Sequence, residues 1–120
     1  MGRILLVEDE EILRMLILDT LEDEGYTIEE ACDGQEAFGM LLENDYDLVI
    51  LDYMMPRMTG LEVVKKTRTE LNKNIKMMIL SAKNQQADRE RIKEAGADYF
   101  MSKPFSPQQL LETIGEILGE

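Results

Sequence analysis

The stretch LVILDYMMP, residues 48–56, joins four apolar residues directly to an acidic one, Asp52. An unbroken apolar run such as residues 48–51 is typical of a strand that is buried on both faces of a parallel sheet. A carboxylate at the end of such a strand is either an ordinary solvated strand end or a group directed at a ligand. The neighbouring segments of the chain decide between these two interpretations.

Apolar runs alternate with amphipathic stretches along the chain. This alternation of strands and helices predicts a parallel sheet with helices on both faces, joined by right-handed crossovers. Because 120 residues are enough for one domain, we predict a single doubly wound α/β domain, (βα)5, over residues 1–120. The predicted strands are 3–7, 26–31, 47–51, 76–80 and 98–102, and the predicted helices are 10–24, 33–44, 59–71, 86–97 and 106–118.

Several helix ends carry recognisable signals. Asp33, Thr59 and Ser106 each precede a Glu or Gln by three residues, which is the pattern of a capping box. Pro107 occupies the first turn of the last helix, where no partner for its nitrogen is needed. Gly96 is suited to ending the preceding helix. These signals agree with the boundaries that the apolar pattern predicts.

The composition excludes several classes of function. The formal net charge is −12, which argues against direct binding of nucleic acid. The chain has no histidine, so a catalytic histidine is excluded, and a metal here would be a hard ion held by oxygen atoms. No apolar run approaches the ~20 residues that a membrane span needs. The single Cys32, expected to be a small buried hydrophobic residue, suits a reducing cytoplasm.

Polar side chains follow four of the five predicted strands. Glu8 and Asp9 follow the first strand, Asp52 the third, Ser81 the fourth and Lys103 the fifth. Because the carboxyl ends of parallel strands share one edge of the sheet, we expect these groups to converge. Crowded carboxylates repel one another, and Mg²⁺ relieves that repulsion because it prefers oxygen ligands. We expect Asp9 and Asp52 to bind Mg²⁺ directly and Glu8 to act through water. Lys103 and Ser81 are suited to holding a phosphoryl group.

Together these motifs resemble the receiver domains of bacterial two-component response regulators. Residues 52–60 carry the DxxMPxxxG signature, Glu8–Asp9 forms the acidic pair, and Ser81–Ala82 and Lys103–Phe105 follow the fourth and fifth strands. The resemblance covers essentially all 120 residues. Each motif alone is weak, but their joint register is specific. The resemblance implies a flavodoxin-like strand order, 2-1-3-4-5.

The resemblance also implies a role for each residue of the predicted site. Asp52 would be phosphorylated by a phosphohistidine on a histidine kinase or a histidine phosphotransfer protein. The main-chain carbonyl of Met54 would complete the Mg²⁺ coordination sphere, and Ser81 and Lys103 would hold the phosphoryl group. The Lys103–Pro104 bond would be cis. The domain would catalyse only its own phosphorylation and dephosphorylation and would not be an enzyme acting on other molecules.

A switch is the further implication of this resemblance. Phe100, three residues before Lys103, occupies the position of a switch aromatic, where many members have Tyr. Phosphorylation would draw Ser81 towards the phosphoryl group and let Phe100 turn inward, which would change the face of the last two βα units. A downstream protein would bind that face. The sequence leaves open whether the chain is a stand-alone regulator, a phosphorelay shuttle or an excised domain, and whether phosphorylation drives dimerisation.

Three interpretations from other classes compete with this one. A haloacid-dehalogenase-like phosphatase also uses an Asp after a strand, but it requires a second Asp where this chain has Met54. A flavin- or nucleotide-binding domain requires a Gly- or Ser/Thr-rich loop after the first strand, where residues 7–11, VEDEE, would repel phosphate. A structural dimerisation module predicts no Mg²⁺ affinity and no effect of Asp52→Asn.

Overall fold

Five strands alternate with five helices in the computed structural model, which describes residues 2–83 and 85–119. The predicted order of elements is confirmed, and each boundary lies within two residues of its prediction. The strands are β1 (Arg3–Val7), β2 (Thr27–Ala31), β3 (Leu48–Asp52), β4 (Lys76–Ser81) and β5 (Tyr99–Ser102). The helices are α1 (Glu11–Asp23), α2 (Gly34–Glu43), α3 (Gly60–Thr69), α4 (Gln86–Ala95) and α5 (Pro107–Leu118).

The strands form one parallel sheet in the order β2-β1-β3-β4-β5. β3 is buried at all five of its positions, as its apolar run predicts, whereas β2 is partly exposed at the edge of the sheet. The doubly wound α/β fold and the strand order 2-1-3-4-5 are therefore confirmed. The carboxyl ends of the strands all lie at one edge, where ligands bind in open sheets of this kind.

A layer of helices covers each face of the sheet. On one face α2, α3 and α4 pack against the strands through residues such as Leu41, Val63 and Ile92. On the other face α1 and α5 do so through residues such as Leu21 and Ile114. Because the helices cover both faces, ligands reach the sheet at the ends of its strands, and the carboxyl edge is one of these places. No helix among the described residues combines the length and the apolar character of a membrane span.

Capping boxes begin α3 and α5, as predicted. The Thr59 hydroxyl accepts a hydrogen bond from the Glu62 N–H at 3.3 Å, and the Ser106 hydroxyl accepts one from the Gln109 N–H at 3.1 Å. The Glu62 and Gln109 side chains accept hydrogen bonds from the cap residues in return. α4 ends at Gly96, whose φ of 109° lies in the left-handed region that favours glycine.

The start of α2 differs from its prediction in two ways. Asp33 caps the helix by accepting from the Glu36 N–H at 2.8 Å, but the Glu36 carboxylate accepts from the Cys32 N–H at 2.8 Å instead of completing the box. Cys32 itself is exposed, so its prediction as a buried residue is wrong. The reason is its position: β2 ends at Ala31, which is buried, and Cys32 already lies in the surface turn that follows.

Only part of the apolar set on α1 reaches the core. Ile17 and Leu21 are buried against the sheet. The side chains of Ile12, Met15 and Leu16 are 80%, 53% and 48% exposed. The apolar residues thus lie on a helix, as their spacing predicts. Some of them lie on the face that packs on the core, and the others lie on the face towards solvent. α1 therefore presents an apolar surface close to the carboxyl edge, because it begins just after β1.

Candidate functional site

The sheet brings four of the predicted site residues to its carboxyl edge. Asp52 and Ser81 are the last residues of β3 and β4, while Glu8 follows β1 and Lys103 follows β5. Parallel pairing holds these ends in register, and the Lys103 N–H donates to the Ser81 carbonyl at 2.8 Å. Groups as far as 95 positions apart in the chain thereby come into contact.

Three carboxylates meet at this edge. One oxygen from each of Glu8, Asp9 and Asp52 lies within 4.8 Å of the others. Glu8 is completely buried and Asp52 is 9% exposed, whereas Asp9 is exposed. The cluster is therefore closed on the side of the sheet and open to solvent at Asp9. Hard oxygen donors with one open side suit Mg²⁺, which usually keeps several of its waters.

Lys103 supplies the positive charge of the site. Its ammonium nitrogen lies 2.8 Å from Asp52 Oδ1 and 3.4 Å from Glu8 Oε1. Burial alone would lower the pKa of Lys103, but the hydrogen bond to Asp52 and the charges of Glu8 and Asp52 outweigh burial and raise that pKa. Lys103 is therefore charged at neutral pH and is held against the carboxylate that the sequence predicts as phosphoacceptor.

The pKa of the buried Glu8 reflects the cost of keeping a charged carboxylate in the interior. Burial raises the pKa of the Glu8 carboxyl group to about 7, and the charge of Asp52 acts in the same direction. Hydrogen bonds from the Glu10 N–H and from Lys103 oppose this increase. Near neutral pH the Glu8 carboxyl group therefore holds a proton for part of the time, and a cation bound beside it would favour its charged form.

Gly60, the last residue of the DxxMPxxxG signature, sets the backbone around Asp52. Its N–H donates to the Tyr53 carbonyl at 3.0 Å, which folds the loop after β3 back onto the strand. A Cβ atom at Gly60 would lie 2.4 Å from the Asp52 carbonyl oxygen and 3.1 Å from Ile79 Cδ1. The position thus requires glycine because the start of α3 touches the main chain of the acidic residue.

The two remaining candidates at the edge are Ser81 and Met54. Ser81 is 2% exposed, and its hydroxyl oxygen accepts a hydrogen bond from the Lys83 N–H at 2.9 Å. The Met54 side chain is 55% exposed and lies two residues after Asp52, in the loop that follows β3. The Lys103–Pro104 bond is cis, as the resemblance implies. The structure thus places Ser81 at the carboxyl edge and Met54 two residues after Asp52, and their roles remain predictions.

Phe100 lies in β5, away from the acidic cluster. Its ring is partly buried, and the guanidinium carbon of Arg89, on α4, lies 5.2 Å from the ring centroid. Two surface cavities of about 420 and 620 Å³ border the ring, one towards α5 and one towards α4. Phe100 therefore borders open space towards both α4 and α5, and a cation–π contact with Arg89 favours the present position of its ring.

Arg14 is a residue of this region that the sequence analysis missed. Its Nη1 donates to the main-chain carbonyl of Glu8 at 2.8 Å, and its Nε lies 3.3 Å from the Glu30 carboxylate on β2. In the sequence, Arg14 is one polar residue in an amphipathic helix. Its spacing carries no signal that the side chain turns back towards the acidic pair.

Comparison with known proteins agrees with the resemblance. The family model described as response regulator receiver domain matches residues 4–115. The transcriptional regulatory protein SrrA of Staphylococcus aureus (strain NCTC 8325 / PS 47) is 38% identical over 117 residues, which are 98% of this chain and 48% of SrrA. The chain thus spans about half the length of the curated relatives that it matches.

Solved structures agree with the family match. Chemotaxis response regulator CheY4 of Vibrio cholerae is 34% identical with a TM-score of 0.91, covering 98% of this chain and 99% of that one. The receiver domain of sensor histidine kinase PA1611 from Pseudomonas aeruginosa PAO1 is 28% identical with a TM-score of 0.89, covering 99% and 98%. That structure has a magnesium ion coordinated in its active site cleft. The strand order, the matched residues and these neighbours show that the chain belongs to the response regulator receiver domains of two-component signalling.

Proposed function

We propose that Asp52 is the phosphoacceptor of this receiver domain and that Mg²⁺ binds beside it. The observation that carries this proposal is the convergence of three carboxylates within 4.8 Å of one another, with the ammonium group of Lys103 2.8 Å from Asp52. A metal, a fixed cation and a carboxylate nucleophile are the components of a phosphoryl-transfer site. The surface opening at Asp9 gives a phosphodonor access to the cluster.

Mg²⁺ fits the donor atoms at this edge. Asp9 and Asp52 would bind it directly, Glu8 would act through water, and the main-chain carbonyl of Met54 would complete the set. The raised pKa of Glu8, which burial causes and the charge of Asp52 increases, supports this assignment, because a cation beside the cluster would favour the charged carboxylate. When bound, the ion supplies positive charge next to the phosphoryl oxygens.

In the proposed reaction, a carboxylate oxygen of Asp52 attacks the phosphorus atom of a phosphohistidine. The P–N bond breaks, its electron pair stays on the imidazole nitrogen, and an acyl phosphate forms on Asp52. Lys103 and Ser81 then hold phosphoryl oxygens. Water later cleaves the acyl phosphate, which restores the carboxylate and releases inorganic phosphate. The domain therefore acts only on itself and is not an enzyme for other substrates.

The phosphodonor in this proposal is a histidine kinase or a histidine phosphotransfer protein. Such a donor must cover the carboxyl edge, and the exposed apolar side chains of α1 adjoin that edge. Leu13 of the same helix lines an apolar cavity of about 290 Å³ together with Lys103, Pro104 and Phe105. Lys103 also contacts Asp52, so the cavity lies next to the proposed phosphoacceptor. We therefore assign this surface of α1 and the β5–α5 turn to the phosphodonor.

In this proposal, a downstream protein binds the phosphorylated domain at the face of the last two βα units. Phe100 lies there against the guanidinium group of Arg89 and borders two surface cavities. Phosphorylation would bias Ser81 and Phe100 towards a second arrangement that a downstream protein recognises. Sedimentation of the phosphorylated protein would show whether that partner is a second copy.

The composition also bears on what this domain would bind and where it would act. A net charge of −12 disfavours direct contact of this domain with nucleic acid. The described residues contain no helix suited to crossing a bilayer. A cytoplasmic location belongs to the proposal, because the exposed thiol of Cys32 suits a reducing compartment.

Phosphorylation with a small-molecule donor tests the proposal directly. The protein is incubated with acetyl phosphate and Mg²⁺, and its intact mass is measured. Wild type should gain one phosphoryl group, Asp52→Asn should gain none, and omission of Mg²⁺ should abolish the gain. Asp45→Asn is the matched control, since Asp45 lies at the opposite end of β3 and its side chain is 89% exposed. Equal labelling of wild type and Asp52→Asn would exclude Asp52 as the acceptor.

A further inference from the structure

The turn between β1 and α1 combines metal ligands with strong charge repulsion. Residues 8–11 are four consecutive acids, EDEE, and Glu8 and Asp9 belong to the proposed Mg²⁺ site. Like charges at this density push the turn open. Glu10, the cap residue of α1, makes no side-chain capping hydrogen bond. Other groups must therefore hold the turn in the shape that directs Glu8 and Asp9 into the cluster.

Arg14 meets this requirement from behind the turn. Its guanidinium Nη1 donates to the Glu8 carbonyl at 2.8 Å, and its side chain is only 19% exposed. The same guanidinium pairs with Glu30 on β2 at 3.3 Å, so its orientation is fixed by the edge strand. The Glu8 N–H donates to the Ala31 carbonyl at 3.2 Å, which ties the turn to β2 a second time. Lys103 binds the carboxylates of the cluster, whereas Arg14 binds the main chain that carries them.

We propose that Arg14 is a positioning residue for the metal site. It touches neither the ion nor the phosphoryl group. Its charge-assisted hydrogen bond fixes the Glu8 carbonyl, and that bond sets the direction in which the side chains of Glu8 and Asp9 leave the backbone. Partners behind the ligands of metal sites typically change metal affinity about 10- to 100-fold when they are lost. This inference rests on the proposed function, because it concerns the same Mg²⁺ site.

A matched control exists at the other end of the same sheet. Arg3 donates to Glu29 on β2, with its Nε at 2.9 Å, and to the main-chain carbonyl of Asp45 at 3.2 Å. Arg3 thus resembles Arg14 in pairing with an acid of β2 and bonding a loop carbonyl, but at the edge of the sheet opposite the site. Both its Nε and its Nη2 donate to Glu29, and its guanidinium carbon lies 4.9 Å from the centroid of the Tyr46 ring. Loss of Arg3 removes at least as many structural contacts as loss of Arg14, whereas only loss of Arg14 should affect the metal.

The test measures Mg²⁺ dissociation constants by titration calorimetry on Arg14→Met and Arg3→Met. Arg14→Met should bind Mg²⁺ about 10-fold more weakly than wild type, and Arg3→Met should stay within about twofold. Urea unfolding in the presence of a chelator should show a loss of stability for Arg3→Met at least as large as that for Arg14→Met. An unchanged Mg²⁺ affinity for Arg14→Met, or an equal loss for Arg3→Met, would overturn the inference.

Three further variants keep the test decisive if Arg14→Met fails to fold. Arg14→Lys retains a cationic donor for the Glu8 carbonyl and should recover at least half of the lost binding free energy. Glu30→Gln leaves the bond between Arg14 and Glu8 in place and should change the affinity less than Arg14→Gln does. If Glu30→Gln and Arg14→Gln weaken Mg²⁺ binding equally, the ion pair rather than the carbonyl bond matters, and the inference is wrong.

Phosphorylation kinetics separate positioning from general damage. For Arg14→Met, the Mg²⁺ concentration that gives half-maximal labelling by acetyl phosphate should rise in step with the dissociation constant. The rate at saturating Mg²⁺ should stay near that of wild type, because Arg14 touches no reacting atom. A lower rate at saturating Mg²⁺ with unchanged half-saturation would contradict the inference. If wild type itself neither binds Mg²⁺ nor becomes labelled, the proposed function fails instead.

Discussion

Gly60→Ala is the perturbation whose outcome the structure predicts most directly. The added Cβ would lie 2.4 Å from the Asp52 carbonyl oxygen, about 1 Å inside the 3.4 Å at which ordinary contacts begin. The obstructing atom belongs to the main chain of β3, so no side-chain rotation relieves the clash. Overpacking of this kind typically costs about 1–3 kcal/mol. We expect the variant to lose free energy of unfolding within that range.

Gly39→Ala provides the matched control. Gly39 lies inside α2, and a Cβ there would meet no atom within 4 Å. The same chemical change should therefore stabilise the protein by up to about 1 kcal/mol, because alanine has the higher helix propensity. The two variants differ only in what surrounds the added methyl group. They are expected to shift the stability in opposite directions.

Urea unfolding followed by far-ultraviolet circular dichroism measures both shifts. With a slope of about 1–3 kcal/mol per molar urea, the midpoint for Gly60→Ala should fall by several tenths of a molar or more, and that for Gly39→Ala should rise. Labelling by acetyl phosphate should be slower in Gly60→Ala, since relief of the clash moves the Asp52 backbone. A midpoint for Gly60→Ala equal to or above that of wild type would refute the close approach on which this reasoning depends.

Three further predictions concern the donor surface and two titrating groups. Leu16→Lys should slow phosphotransfer from a cognate histidine kinase and leave labelling by acetyl phosphate unchanged, while Leu42→Lys, at a residue of α2 that is 55% exposed, should change neither rate; equal effects on transfer would contradict the assignment of α1. Because the pKa of Glu8 rises to about 7 on folding, its contribution to stability is complete below its unfolded value near 4.5 and is lost as pH rises through 7. The free energy of unfolding of metal-free wild type should fall by roughly 3 kcal/mol over that pH window, whereas that of Glu8→Gln should not. Urea midpoints that match for the two proteins across the window would count against the pKa shift. Burial and Glu29 raise the pKa of Tyr46 to about 12, so stability should fall as pH rises above 10, and Tyr46→Phe should remove that dependence in alkaline unfolding curves.

The element pattern and most helix boundaries could be predicted from the sequence, because they depend on local interactions. The apolar run of β3 determines that the strand is buried whatever packs against it. The capping boxes at Thr59 and Ser106 lie within four residues each, and both are present in the structure. The polar residues after the strands were also predictable, since parallel strands place their carboxyl ends at one edge.

What the sequence determined by itself was therefore the alternation of strands and helices, and with it the edge at which the acidic residues meet. Only the tertiary structure decided that Cys32 and Leu16 face solvent, that Arg14 reaches the Glu8 carbonyl, and that Gly60 is pressed against Asp52. The physical reason is the distance along the chain over which each interaction acts. Periodicity and capping act over a few residues, whereas exposure and contact depend on which distant segment the sheet brings alongside.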